Sequence, residues 1–234
     1  MRKIGFSHGV LFKVLDVNTK ESLDILAASG ASAVEINCHR SGDSSSLNNL
    51  LPYIKKFERI SLHVPCNIRY GNNDETISLL KDLEDFYKKS GAELVVVHPD
   101  VVDDWSVFDS FDMNFAIENL DDRKKEFKDV ADLKEFFKVH PKWAFVLDFG
   151  HANSNDKSMI LAEDLIKEFK SRVVEIHLSG YEVFHDPLYH TKQKEIINYC
   201  KEFSVPIIIE SVFEVSDGVE GVKKEFDYVI ENLN

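Results

Sequence analysis

Short apolar runs alternate with amphipathic stretches along the whole chain. The runs are Ile4–Phe6, Ala33–Ile36, Ile60–His63, Leu94–Val97, Phe115–Glu118, Ala144–Leu147, Val173–Ile176 and Ile207–Ile209. Most are rich in β-branched residues and too short for helices, so they read as buried strands. Their starts are spaced by about 20 to 34 residues, the length of one βα unit. The stretches between them fit helices. Thr19–Leu26 opens on a Thr19 or Asn18 cap, with Gly30 where a helix would end. Asp74–Lys89 places Ile77, Leu80, Leu83, Phe86 and Tyr87 on one face and stops at Gly91. Lys157–Lys170 and Thr191–Phe203 read the same way, and the segment Asp100–Asp112 is the shortest connection with the weakest helical signal.

Eight buried strands alternating with helices is the arithmetic of an α/β fold of the (β/α)8 TIM-barrel type. Such barrels commonly occupy roughly 200–250 residues as one unit. No Pro/Ser/Gly-rich linker or charge block divides the chain, so residues 1–234 read as a single domain. A doubly wound open sheet is the alternative. It usually has fewer strands and a nucleotide loop after the first, and Gly5–Gly9 has neither GxGxxG nor GxxxxGKS spacing.

Acids outnumber bases, 41 against 28, for a formal net charge of 28 − 41 = −13. This argues against a general nucleic-acid coat protein, which needs a basic face. A small basic patch, or a site where a metal ion supplies the positive charge, stays open. The three cysteines, Cys38, Cys66 and Cys200, are far apart and form no CxxC pair, so neither a disulfide framework nor a zinc knuckle is expected. Ser7, His8 and Gly9 interrupt the first apolar run too early for a signal peptide. No stretch approaches the roughly 18 apolar residues of a membrane span. The expectation is a soluble cytoplasmic protein without a membrane partner.

Candidate chemistry lies at the strand ends. His8 follows the first strand, and Glu35 lies in the second. His63, His98, Glu118 and His177 end or follow the third, fourth, fifth and seventh. Asp148 and His151 follow the sixth, and Glu210 follows the eighth. The loop after the seventh adds His185, Asp186 and His190. In a barrel all these ends point to one mouth. A lone histidine at a strand end is more often a hydrogen-bonded structural residue than a ligand. Many ionisable groups converging on one buried point are costly without compensation. A divalent metal offsets that cost. The mixture of carboxylates and imidazoles suits Mn, Zn, Co or Fe, and Mg is kept as a further candidate.

The chain resembles the xylose-isomerase-like TIM-barrel superfamily, which includes sugar isomerases and epimerases and nucleases of the endonuclease IV type. The resemblance spans essentially the whole chain. It is carried by Leu62-His63-Val64-Pro65, Val97-His98-Pro99, Ile117-Glu118-Asn119, Leu147-Asp148-Phe149-Gly150-His151-Ala152, Ile176-His177-Leu178-Ser179 and Ile209-Glu210-Ser211. The resemblance to the epimerase branch implies one divalent metal on Glu118, Asp148, His177 and Glu210. Glu118 and Glu210 would also be the catalytic acid/base pair, moving a proton next to a carbonyl through an enediolate. His151 would contact substrate oxygens. The resemblance to the nuclease branch implies a three-zinc cluster to which His63, His98, His151 and His190 would also contribute. The remaining ligand of that cluster is an Asp two residues before the last His. Here Leu188 stands in that place, so the third metal would be bound more weakly.

Two functions therefore compete. One is a metal-dependent isomerase or epimerase of a small sugar, sugar phosphate or hydroxy acid. The other is a metal-dependent phosphodiesterase acting on abasic DNA. Charge complementarity favours the first, because Asp100, Asp103, Asp104, Asp121 and Asp122 crowd loops that a nuclease would make basic. A barrel that has lost activity and serves as a binding protein is a third reading, disfavoured by the intact acid pair. His8, Glu35 and Arg69 are weaker candidates for substrate contact. Glu35 reads equally as an acid that orients a histidine or arginine, or as part of a structural ion pair. Arg40 and Arg69 suit a phosphate or carboxylate, though a solvated arginine is commoner. Trp105 suits either stacking on a sugar or packing under a short helix. Cys38 and Cys66 lie near the mouth, and His140 is expected at the opposite end. A homo-oligomer is common for barrel isomerases, but no interface stripe stands out.

Overall fold

All eight apolar runs become strands of one closed parallel barrel, ordered β1 to β8 around the ring. The structure is a computed structural model that describes residues 2–38 and 44–233. The strands are β1 (Ile4–Ser7), β2 (Ala33–Asn37), β3 (Arg59–His63), β4 (Leu94–Val97), β5 (Phe115–Glu118), β6 (Ala144–Asp148), β7 (Val173–Leu178) and β8 (Ile207–Ile209). Closure comes from β1 pairing with β8, with Ile4 opposite Ile207 and Phe6 opposite Ile209.

Alternate strand residues face opposite ways. The outward set, including Val34, Ile36, Val95, Val97, Ile117, Phe145, Leu147 and Ile176, packs with the helices into the main core. The inward set divides. On β4, β5 and β6 it is apolar below the strand ends, where Leu94, Val96, Ala116 and Val146 form a small cluster of their own, and turns acidic at the mouth with Glu118 and Asp148. On β2, β3 and β7 it includes Glu35, Ser61 and Glu175, all without exposed surface. The barrel interior is thus oil on one side and ionisable on the other.

The helices follow local signals. Thr19 caps Lys20–Ala28 by accepting the Ser22 N–H at 3.2 Å. Asn73 caps Asp74–Ser90, and Gly91 ends it in the left-handed region at φ 74°. Asp100–Asp112 holds only 3-10 turns. Two expected helices differ. The helix expected over 157–170 is shortened to Ile160–Phe169, and a separate helix, Phe149–Asn155, precedes it. Two aspartates cause the division. Asp148 caps the first helix through the His151 N–H at 2.7 Å, and Asp156 accepts the Ser158 and Leu161 N–H groups at the start of the second. The segment Thr191–Phe203 is broken at Lys192, which takes φ 59°, leaving Leu188–Thr191 and Lys194–Cys200. Among the described residues, no helix is long and apolar enough to cross a membrane.

Gly5 tests the closeness of the β1–β2 pairing. A Cβ there would sit 1.6 Å from the Ala33 carbonyl oxygen. Gly5→Ala is expected to lower stability by about 3 kcal/mol or more, the upper end of single-substitution effects. Chemical denaturation measures it, and an unchanged midpoint would contradict this packing.

Candidate metal centre at the mouth of the barrel

Glu118 ends β5, Asp148 ends β6, His177 lies near the end of β7, and Glu210 follows β8. One donor atom from each lies within 4.8 Å of the others. His177 Nδ1 is 2.7 Å from Glu118 Oε1 and 3.5 Å from Glu210 Oε1. Two further groups of donors adjoin this one. His63, His98 and Glu118 form the first; the Nε2 atoms of His63 and His98 stand 3.6 and 3.1 Å from Glu118 Oε2. Asp148, His151 and His185 form the second, with the two Nε2 atoms 3.3 Å apart.

Backbone carbonyls orient two of the histidines. His63 Nδ1 donates to Val64 O and His151 Nδ1 donates to Asn119 O, each at 2.9 Å. In the neutral ring, Nε2 then carries a lone pair. For His63 that lone pair faces Glu118, and for His151 it faces His185. A lone pair against a carboxylate is repulsive unless a proton or a cation lies between them. Buried carboxylate oxygens are also left over, since Glu118 Oε2 and Asp148 Oδ2 have no hydrogen-bond partner among the described residues.

Titration follows the same logic. Burial pushes Glu210 up to about 8 and Asp148 up to about 6. Burial also opposes charge on His63, yet its contact with Glu118 and the nearby glutamate charges raise it to about 10. Burial works against Glu118 too, but the His177 ring and the His63 and His98 contacts hold it well below the usual carboxylate range. The site is short of positive charge and draws it from solvent as protons. A divalent cation fits this donor set, and Glu118, Asp148, His177 and Glu210 are the residues that would hold it.

No protein-family model matches the sequence, and no curated protein matches it. Solved structures do. The 3-keto-D-glucoside 4-epimerase YcjR from E. coli superposes with a TM-score of 0.69 at 13% identity, covering 99% of this chain and 100% of that one. The D-psicose 3-epimerase of Clostridium cellulolyticum H10, solved with D-tagatose, gives 0.71 at 12% identity and covers 99% of both chains. Endonuclease IV from Thermus thermophilus gives 0.66 at 16% identity, covering 98% of this chain and 99% of that one. The chain shares the (β/α)8 TIM-barrel fold of these structures. At these identities the likeness is one of fold.

Not every candidate from the sequence reaches this centre. His190 lies away from it, half exposed, with Nε2 2.6 Å from Asp217 Oδ1. Leu188 is fully buried, and Asp186 is occupied by the N–H groups of Glu182, Val183 and Phe184. His185, which sequence spacing did not single out, takes the place beside His151. The turn tied down by Asp186 is what presents it, and no spacing rule distinguishes it from His190. His8 has no exposed surface; it accepts the Asn37 N–H at 2.9 Å, and burial lowers it to about 4. Glu35 is fully buried beneath His177, with Oε2 3.1 Å from Nε2. Arg69 is exposed and ion-paired with Asp103. Arg40 lies outside the described residues. Trp105 packs on Phe136, Trp143 and His140 rather than in the mouth.

A hollow of about 250 Å³ opens above the centre, lined in part by Val10, Phe12, His63, His151, Phe184 and Glu210. A larger hollow of about 950 Å³, on the opposite face beside Arg59 and Trp143, contains none of the donors of the first three groups.

Proton competition gives a test. A cation must displace protons from Glu210, raised to about 8, and Asp148, raised to about 6. Affinity for Zn²⁺ or Mn²⁺ is therefore expected to rise from pH 6 to pH 8, by roughly tenfold or more. Competition titration against a chromophoric chelator measures it; a flat profile would exclude these carboxylates as the ligands.

Proposed function

We propose that the protein is a divalent-cation-dependent isomerase or epimerase acting on a small carbohydrate-like substrate. The observation that carries this reading is the shape and charge of the mouth. Glu118 and Glu210 meet at one point with Asp148 and His177, under a hollow of about 250 Å³. That is below the roughly 300–1,000 Å³ of sites for drug-sized ligands and suits one sugar ring. Among the described residues, the cations that line it are occupied: Arg123 pairs with Asp121 and Lys124 with Asp100. A neutral polyol needs none of them.

A bound divalent cation supplies a Lewis acid that polarises the substrate carbonyl. The residues of the chain handle the proton. Glu210 lines the hollow, while Glu118 lies just beneath, so the two glutamates reach the reacting carbons from adjoining positions. In the cation-free site burial raises Glu210, whereas Glu118, on which burial also acts, is held low by the His177 ring and the His63 and His98 contacts, so the two exchange a proton with unequal ease. One removes the proton beside the carbonyl and the other returns a proton at the neighbouring carbon or the opposite face. His151, whose ring is fixed by Asn119 O, offers Nε2 to substrate oxygens.

One observation favours a second reading. His63 and His98 give Glu118 a further donor set, as a two-metal phosphodiesterase would require. Metal content and activity separate the two. Elemental analysis is expected to give one ion per chain, whereas two or three would favour the phosphodiesterase. In heavy water, a panel of aldoses and ketoses is expected to yield an epimer or isomer carrying solvent deuterium. Metal-dependent nicking of an abasic duplex would overturn the isomerase reading. Glu210→Gln is expected to lower turnover by at least about 10²–10⁴-fold, the worth of a positioned acid or base, with a thermal midpoint near that of the wild type. Full turnover in that variant would remove Glu210 from the proposed pair.

A further inference from the structure

The chemistry proposed above leaves the polar half of the barrel interior unused. Glu35, Ser61 and Glu175 have no exposed surface. Both carboxylates and the Ser61 hydroxyl lack a hydrogen-bond partner among the described residues. The two glutamates face the back of the His177 ring, with Glu35 Oε2 3.1 Å and Glu175 Oε1 3.8 Å from Nε2. The front of the ring, Nδ1, is 2.7 Å from Glu118. At 3.1 Å Glu35 Oε2 is within hydrogen-bond distance of Nε2, and both atoms are otherwise without a hydrogen-bond partner among the described residues.

A neutral imidazole has one proton to place. For Nδ1 to offer a lone pair to a cation, that proton must sit on Nε2 and have an acceptor there. Glu175 is the poorer one. It is countered by Arg59, whose Nε lies 3.6 Å from Oε2 and whose guanidinium continues to Glu93 on the far rim. Among the described residues Glu35 has no ion-pair partner except His177. Its charge is the one left for the ring to answer.

We infer that Glu35 is the positioning residue of the metal centre, accepting the Nε2 proton of His177 and so directing the Nδ1 lone pair toward Glu118, Asp148 and Glu210. The inference rests on the cation-site reading above. Arg59 and Glu175 complete the arrangement by neutralising the rival acceptor from the opposite end of the barrel.

Two measurements without substrate test it: Zn²⁺ affinity by competition titration, and the His177 tautomer by long-range ¹H–¹⁵N correlation of the zinc-loaded protein. The wild type is expected to show an Nε2–H ring. Glu35→Leu is expected to lose that pattern and to bind Zn²⁺ about 10- to 100-fold more weakly, the usual cost of removing a partner behind a metal-bound histidine. Glu35→Gln keeps an acceptor oxygen and should recover most of the affinity, whereas Glu175→Gln should change it by less than roughly threefold. Should Glu35→Leu fail to fold, the Gln variant and the wild-type tautomer still decide. Wild-type affinity in Glu35→Leu would overturn the role of Glu35 alone, whereas an Nδ1–H ring in the zinc-loaded wild type would overturn it together with His177 as a ligand. Failure of the wild type to bind Zn²⁺ or Mn²⁺ would overturn the cation site and this role together.

Discussion

The His177 ring stands between carboxylates on both edges, Glu118 and Glu210 at Nδ1 and Glu35 and Glu175 at Nε2. Asp148 joins the same cluster. One imidazole carries at most one positive charge, and Arg59 is the cation that reaches this set from below. Removing carboxylates from water costs several kcal/mol each unless they are paired. The excess must be met by protons or by a cation, and the upward shifts of Glu210, Asp148 and His63 follow from it. The proposed acid/base work, the proposed cation and the barrel's polar interior all follow from that one imbalance.

The fold maintains the imbalance by tying the surrounding groups to backbone. Asn119 bridges β5 and β6, donating to Asp148 O at 2.9 Å and accepting the Asp148 N–H at 2.8 Å. Its carbonyl also holds His151. Asp148 is used twice: one carboxylate oxygen caps the helix that carries His151, and the other is left bare toward the cluster. Gly150 lets that helix begin against β7, where a Cβ would lie 2.6 Å from Ser179 Oγ, and the Ser179 hydroxyl in turn reaches His185 at 3.1 Å. Strain and packing are thus placed where they fix ligand direction, as preorganised sites require.

The strands were legible because burial on both faces leaves continuous apolar runs, and strand-end polar residues stand out against them. Strand-end position alone gathers His8, Glu35, His63, His98, Glu118, Asp148, His151, His177 and Glu210 at one mouth; singling out Glu118, Asp148, His177 and Glu210 from them takes the family resemblance. What lay off the strands was harder to read. The extra helix after β6 and the late start of the next depend on the side-chain caps of Asp148 and Asp156, which apolar periodicity does not signal. The choice of His185 over His190 depends on a turn closed by Asp186, a tertiary outcome with no fixed spacing. Arg69 and Trp105 were ambiguous for the same reason, as each is placed by a partner distant in sequence, Asp103 and Trp143 respectively.

Chemistry at a cation and the approach of a substrate to it are separable properties. The four-residue cluster serves either proposed function, because a Lewis acid polarises a carbonyl or a phosphoryl oxygen equally well. The approach differs. A phosphodiester brings negative charge to a mouth already rich in carboxylates, where the described lining cations, Arg123 and Lys124, already stand against Asp121 and Asp100. The acids of those pairs stay beside any phosphate that enters and repel it. A neutral sugar meets no such barrier and exchanges its water for hydroxyl contacts with histidines and carboxylates. His63 and His98 do not reverse this balance. His63 is held by Val64 O whichever substrate enters, so a second donor set beside Glu118 is compatible with a sugar site, whereas closed ion pairs around the mouth oppose a nucleic-acid site.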